Sequence, residues 1–159
     1  MSSDHQIYLT PEGYNRIERE LERLRTVDRR EVADRIRESK QFGEFTENAE
    51  YEDAKIEQAF VEGRIQDLKR IIQIAHVLSD SDIPTDEVGI GSRVKVLDLD
   101  TNEEWDLQVV GSVESDPNFD RISDESPVGE ALMGHKVGDE VEVAIPDGTL
   151  RYRILQITK

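Results

Sequence analysis

TPEGYNRIERELERLRTVDRREVADRIRESKQFGEFTENA, residues 10–49, is a long charged helix followed by an abrupt break. Thr10 is suited to an N-cap, Pro11 to the first helical position, and Glu12 to the positive end of the helix dipole. Apolar residues then recur at helical spacing in Ile17, Leu21, Leu24, Val32 and Ile36, while almost everything between them is charged. So narrow a stripe buries one seam only, which suits a coiled coil better than a globular core. The pattern stops at Phe42-Gly43-Glu44-Phe45-Thr46, where Gly43 can end one helix and Thr46 can cap the next.

A second helix is predicted from there to about Leu78, with Ala49, Ile56, Phe60, Leu68, Ile72 and Ala75 as its apolar positions and Gly63 as a point of close helix approach. Two amphipathic helices joined by a short turn pack antiparallel. Residues 1–79 therefore read as an antiparallel two-helix coiled coil with its tip near 43–47, roughly 45 Å long for about 30 residues per leg.

Residues 80–91 are rich in Asp, Ser, Pro and Gly and read as a linker. From residue 92 the period changes to two. Val94 and Val96 alternate, as do Trp105, Leu107 and Val109, around an Asp100-Thr101-Asn102 turn; Val141, Val143 and Ile145 face Leu150, Tyr152 and Ile154 across Pro146-Asp147-Gly148. Ser126-Pro127 caps a short helix running to about Met133. The fold class is thus α+β, with residues 92–159 a small antiparallel sheet carrying one short helix.

The 159-residue chain has a formal net charge of −16 and no cysteine. The first argues against tight autonomous binding to nucleic acid, and the second excludes disulfides and thiolate metal sites. Charge is unevenly divided: residues 1–80 carry 18 acidic and 13 basic side chains, and residues 81–159 carry 18 and 7. No stretch is suited to a signal peptide or a membrane span, so a cytoplasmic protein without membrane contact is expected. His5, His76 and His135 share no metal-ligand spacing and are assigned no role.

Five acids, Glu44, Glu47, Glu50, Glu52 and Asp53, lie between Gly43 and Ala54 with no lysine or arginine among them. Charge alone reads as a solvated surface. Position favours a second reading, because acids at a projecting turn contribute little to folding and repel one another. Glu44 and Glu47, three residues apart across the turn, can direct two carboxylates to one point. Two such ligands bind Mg2+ weakly by themselves and can complete a site on a partner that already holds phosphates and metal. Behind the turn Arg37 and Lys40, with Lys55 on the facing helix, either form ion pairs along the helices, as Glu31 with Arg35, or hold a nucleic-acid end.

These residues carry a resemblance to the bacterial Gre transcript-cleavage factors, and to their GreA type. The matching blocks are Leu9-Thr10-Pro11-Glu12-Gly13, Gly43 through Tyr51, Glu62-Gly63-Arg64-Ile65, Ser126 through Gly134 and Val137 through Val141. The resemblance implies an FKBP-like C-terminal domain that docks on bacterial RNA polymerase beside its secondary channel, while the coiled coil enters the channel. Glu44 and Glu47 would then share the second Mg2+ of the polymerase active centre, with Arg37, Lys40 and Lys55 as a basic patch near the backtracked RNA 3′ end. The factor would be a monomer with no cofactor of its own, and no enzyme itself: it would stimulate the polymerase to cleave its own transcript. Here the turn reads Gly-Glu-Phe where the family usually has Gly-Asp-Leu, and Thr46 replaces a basic residue. That difference leaves an alternative, a secondary-channel regulator of the same fold that modulates polymerase without stimulating cleavage.

Overall fold

The computed structural model describes residues 6–40 and 48–159, in two compact units: Tyr14–Ile74, and residues up to Gly13 together with Ala75–Lys159. The chain thus divides at places other than 79/80 and 91/92. The supposed linker 80–91 puts Ile83 and Val88 at 7% and 2% exposure in the second of these units, so it is part of a packed body.

In the helical unit, α1 (Pro11–Arg23) continues through a π-helical turn at Leu24–Asp28 into α2 (Arg29–Ser39), and α3 (Ala49–Ile74) returns. Ile17, Leu21, Leu24 and Val32 are buried, as the sequence spacing predicts. Leu24 and Val32 are eight residues apart, one more than a heptad, and the π turn takes up the extra residue so that the seam stays on one face. Cross-helix ion pairs fix the direction of the legs. Arg64 donates to both carboxylate oxygens of Glu20 at 2.7 and 3.0 Å, Arg29 to both of Glu62 at 2.9 Å, and Arg35 pairs with Glu57. Partners descend along α3 as the first leg ascends, so the helices are antiparallel.

The buried seam of α3 differs from the expected one. Ala54, Val61, Ile65, Leu68 and Ile71 are buried, whereas Ile56 and Phe60 are 68% and 70% exposed. The helix carries two stripes with alternating spacings of four and three, and the expectation mixed members of both. Among the described residues nothing lies within 4 Å of a Cβ built on Gly63, so this glycine is not a point of approach between the described helices. The helix also stops at Ile74, short of Leu78. Tyr8–Leu9 (β1) pairs in parallel with His76–Val77 (β2), and strand pairing takes those residues from the helix.

The other unit holds a five-stranded sheet built from β3 (Arg93–Asp98), β4 (Glu104–Val110), β5 (Arg121–Ser123), β6 (Glu140–Ile145) and β7 (Gly148–Thr158), in the order β5-β4-β3-β7-β6. Both expected hairpins are present. Asp98 Oδ1 accepts from the backbone N–H of Asp100 and Thr101 to close the first turn, and Gly148, at φ 140°, opens the return strand of the second. The sheet is mixed rather than wholly antiparallel, because β5 runs parallel to β4. The short helix α4 (Pro127–Leu132) starts at Ser126, whose hydroxyl accepts from Gly129 N–H. It delivers Leu132 into a core with Val88, Val94, Val96, Val109, Val141, Ile154 and Ile157. Trp105, expected on the core alternation, is in register with Val96 yet 44% exposed. No helix among the described residues is long and apolar enough to cross a membrane.

Candidate functional site

Glu44 and Glu47 lie outside the described residues, as do Gly43 and Thr46. The flanks of that segment are described. Asn48 caps α3, two residues beyond the expected Thr46: its Oδ1 accepts from Tyr51 N–H at 3.2 Å. The same side chain donates through Nδ2 to the carbonyl of Ser39, the last residue of α2, at 2.9 Å. One amide therefore satisfies an orphan carbonyl at the end of one leg and an orphan N–H at the start of the other. Ser39 is 3% exposed, and its hydroxyl donates back to the Ile36 carbonyl at 2.9 Å. Sequence reasoning passed over Asn48, although an asparagine immediately before a helical period is itself a cap signal.

Just past this clasp, Glu50 and Glu52 stand in the first turn of α3, where the dipole favours negative charge, and Asp53 follows; all three are exposed. Among the described residues no three His, Cys, Asp or Glu side chains are grouped to hold a metal ion.

Arg37, Lys40 and Lys55 each have their own surroundings. Arg37 is bound to Asp34 on its own helix, Lys55 Nζ donates to Gln58 Oε1 at 3.1 Å, and Lys40 is exposed with no ion pair among the described residues. Arg35 is drawn to Glu57 across the seam rather than to Glu31 along its own helix. Two of the four arginines of α2, Arg29 and Arg35, therefore tie the helices together, while Arg30 and Arg37 are held on their own leg.

One such tie gives a pH test. Hydrogen bonds from Arg29 hold the Glu62 carboxyl below its ordinary value of 4.5, with a smaller electrostatic contribution from Arg29 itself and from Lys69. A carboxyl whose folded pKa is depressed contributes stability above its unfolded pKa and loses it as pH falls through the folded one. Thermal unfolding of the helices should become easier below pH 4.5, and Glu62→Gln should flatten that dependence in circular dichroism melts between pH 3 and 6. The pair is half exposed, so the effect is small.

A second buried constellation, not foreseen from the sequence, surrounds the start of α1. Glu114 is 7% exposed, and its carboxylate accepts from Thr10 N–H and from the Thr10 hydroxyl, both at 2.7 Å. Gly13 N–H donates to Thr10 Oγ1 at 3.0 Å. A Cβ on Gly13 would overlap the Glu114 carboxylate, lying 2.7 Å from Oε2, so the glycine of the Leu9–Gly13 block makes room for this acid.

The description "Transcription elongation factor, N-terminal" matches residues 7–77, and "Transcription elongation factor, GreA/GreB, C-term" matches residues 83–159. The chain is 51% identical over 159 residues to transcription elongation factor GreA of Acetivibrio thermocellus, covering all of both proteins. It is 50% identical to GreA of Thermoanaerobacter pseudethanolicus over 96% of this chain and 98% of that one. Among solved structures it aligns with the GreA factor homolog Gfh1 of Thermus thermophilus at 32% identity, over 98% of this chain and 100% of that one, with a TM-score of 0.45. The 51% identity over the full chain, together with matches to both halves of the family, shows that the chain belongs to the GreA/GreB transcription elongation factors.

Proposed function

We propose that this protein stimulates the transcript-cleavage activity of bacterial RNA polymerase in the cytoplasm and is not itself the enzyme. In this reading the FKBP-like unit docks beside the secondary channel, and the helix pair acts as a coiled coil that brings Glu44 and Glu47 to the active centre. The observation that carries it is the Asn48 clasp: the two antiparallel legs are locked to each other where they meet the segment bearing both acids. Family membership supports the choice of partner.

Carboxylate oxygens are the hard donors that Mg2+ takes, and two of them leave most of an octahedron to be completed elsewhere. Glu44 and Glu47 would hold the second Mg2+ that the polymerase binds weakly. When bound, that ion activates water and stabilises charge at the scissile phosphodiester of backtracked RNA. The work of this chain is to present two carboxylates and to exclude other arrangements of them. Arg37, Lys40 and Lys55 are the cations nearest in sequence to this segment and would face the RNA 3′ end. Release of Arg37 from Asp34 would be part of that engagement.

The test is cleavage of a stalled, backtracked complex. Wild-type protein should release short 3′ fragments. Glu44→Ala and Glu47→Ala should each lower the rate at least tenfold, about 1.4 kcal/mol of lost transition-state stabilisation, while competing undiminished for polymerase. Unchanged cleavage by both variants would overturn the assignment of the acids. Glu44 stands where the family usually has Asp, which favours a second reading, a regulator that binds the channel without stimulating cleavage. It requires binding by the wild type with no fragment release, and Glu44→Asp would then restore cleavage.

A further inference from the structure

The second stripe of α3 has no partner among the described residues. It runs Ala49, Asp53, Ile56, Phe60, Gly63, Asp67, Arg70, Ile74, alternating steps of four and three residues over the whole helix. Every member is exposed, Ile56, Phe60 and Ile74 to 68%, 70% and 52%. An exposed phenylalanine and isoleucine one turn apart cost solubility, and a glycine in a helix interior costs about 1 kcal/mol relative to alanine. No described residue around Gly63 offsets that cost. Spacings of four and three are the period at which one helix docks along another.

The stripe is complementary to itself in one antiparallel register. With a two-fold axis between residues 61 and 62, Phe60 of one copy falls on Gly63 of the other, so the largest side chain of the stripe enters the space left by the smallest. In the same register Asp53 meets Arg70, and Ala49 meets Ile74. Each layer occurs twice by symmetry. Asp53 and Arg70 have no ion pair among the described residues, and the register gives each an opposite charge. The remaining layer sets Ile56 against Asp67, which lies within electrostatic reach of Arg64 on its own helix. No other shift along the stripe brings the phenylalanine onto the glycine and the aspartate onto the arginine together.

We propose that the outer face of α3 is a self-association surface through which two copies pair antiparallel, Phe60 packing on Gly63 and Asp53 bridging to Arg70. This replaces the monomer expected from the sequence with a concentration-dependent monomer and dimer, and it holds whether or not Glu44 and Glu47 act at a polymerase. The dimer is weak, because each of its central layers buries a single aromatic ring.

Sedimentation velocity from about 1 to 500 μM tests it, with circular dichroism to verify helix content in each variant. Wild-type protein should shift from monomer to dimer with rising concentration. Phe60→Glu should abolish the shift. Asp53→Arg and Arg70→Asp should each weaken association at least tenfold, and the double variant Asp53→Arg/Arg70→Asp, which restores opposite charges in the swapped sense, should recover most of it. The cysteine-free chain allows a direct check of register: Phe60→Cys/Gly63→Cys should form an interchain disulfide under mild oxidation. A wild type monomeric at every concentration overturns the proposal, including one whose polymerase binding falls with Phe60→Glu. So does a dimer indifferent to Phe60→Glu, or a double charge variant no better than the single ones.

Discussion

Gly129→Ala is expected to destabilise the sheet-bearing unit by about 3 kcal/mol or more, the size of a severe overpacking defect. A Cβ at this position overlaps the carbonyl oxygen of Ser123 and lies 2.9 Å from its carbon and 3.0 Å from Ser126 Oγ. The obstacle is backbone, and it is held in place. The Ser123 carbonyl accepts from Ser126 N–H at 3.0 Å and from the Ser126 hydroxyl at 2.6 Å, while β5 is paired to β4. Relief therefore requires α4 to move away, taking fully buried Leu132 out of the core and loosening the cap that Ser126 provides to Gly129 N–H. Urea unfolding followed by fluorescence of the single tryptophan, Trp105 on β4, reports on this unit. Gly63→Ala supplies the contrast. That position is open and helical, so the substitution should raise helix stability by about 0.5–1 kcal/mol.

Glu114→Ala is the second large effect, at about 2–4 kcal/mol. Thr10 is fully buried, so its N–H and hydroxyl cannot turn to water when the carboxylate is removed. Two hydrogen bonds to a charged acceptor are lost and two buried donors are stranded. Against this stands the desolvation of a carboxylate that no longer has to be buried, which keeps the loss below the sum of the two bonds. Glu114→Gln retains one acceptor oxygen and should cost roughly half as much. Combining Thr10→Val with Glu114→Ala should cost less than the two single changes added together, because each removes the same interaction. Additive losses in the urea midpoints would mean that Glu114 acts through other contacts.

Part of this structure was legible because it depends on local chemistry. Thr10-Pro11 and Ser126-Pro127 announce helix starts that the structure contains, with Gly13 N–H and Gly129 N–H as the capped donors. The alternating valines of residues 94–96 and 141–143 are buried as their period requires. Glu44 and Glu47 are read from the sequence as a pair of acids and lie outside the described residues, while the flanking clasp at Asn48 was not legible. A capping signal states that a helix begins, and gives no sign that the same amide will reach the carbonyl of a residue nine positions earlier.

Where the reading went astray, a side chain had more than one place to go. Arg35 has Glu31 within reach on its own helix and Glu57 on the neighbouring one, and only packing selects the second. Tyr8–Leu9 and His76–Val77 are too short to show a period, and they become strands because the fold sets their backbones side by side. Thr10 and Glu114 are 104 residues apart, and no spacing rule joins them.

The sequence by itself determined where the first and last helices begin, where the period changes from helical to alternating, and which family the motifs match, since these rest on capping, patterning and composition along the chain. Only the tertiary structure decided which of the two stripes on α3 is buried. Both have the same spacing, and Ile56 and Phe60 are at least as apolar as Ala54 and Val61. The choice belongs to the first leg, whose Leu21, Leu24 and Val32, kept in line by one π turn, are buried as are Val61, Ile65 and Leu68, while the other stripe is left to water.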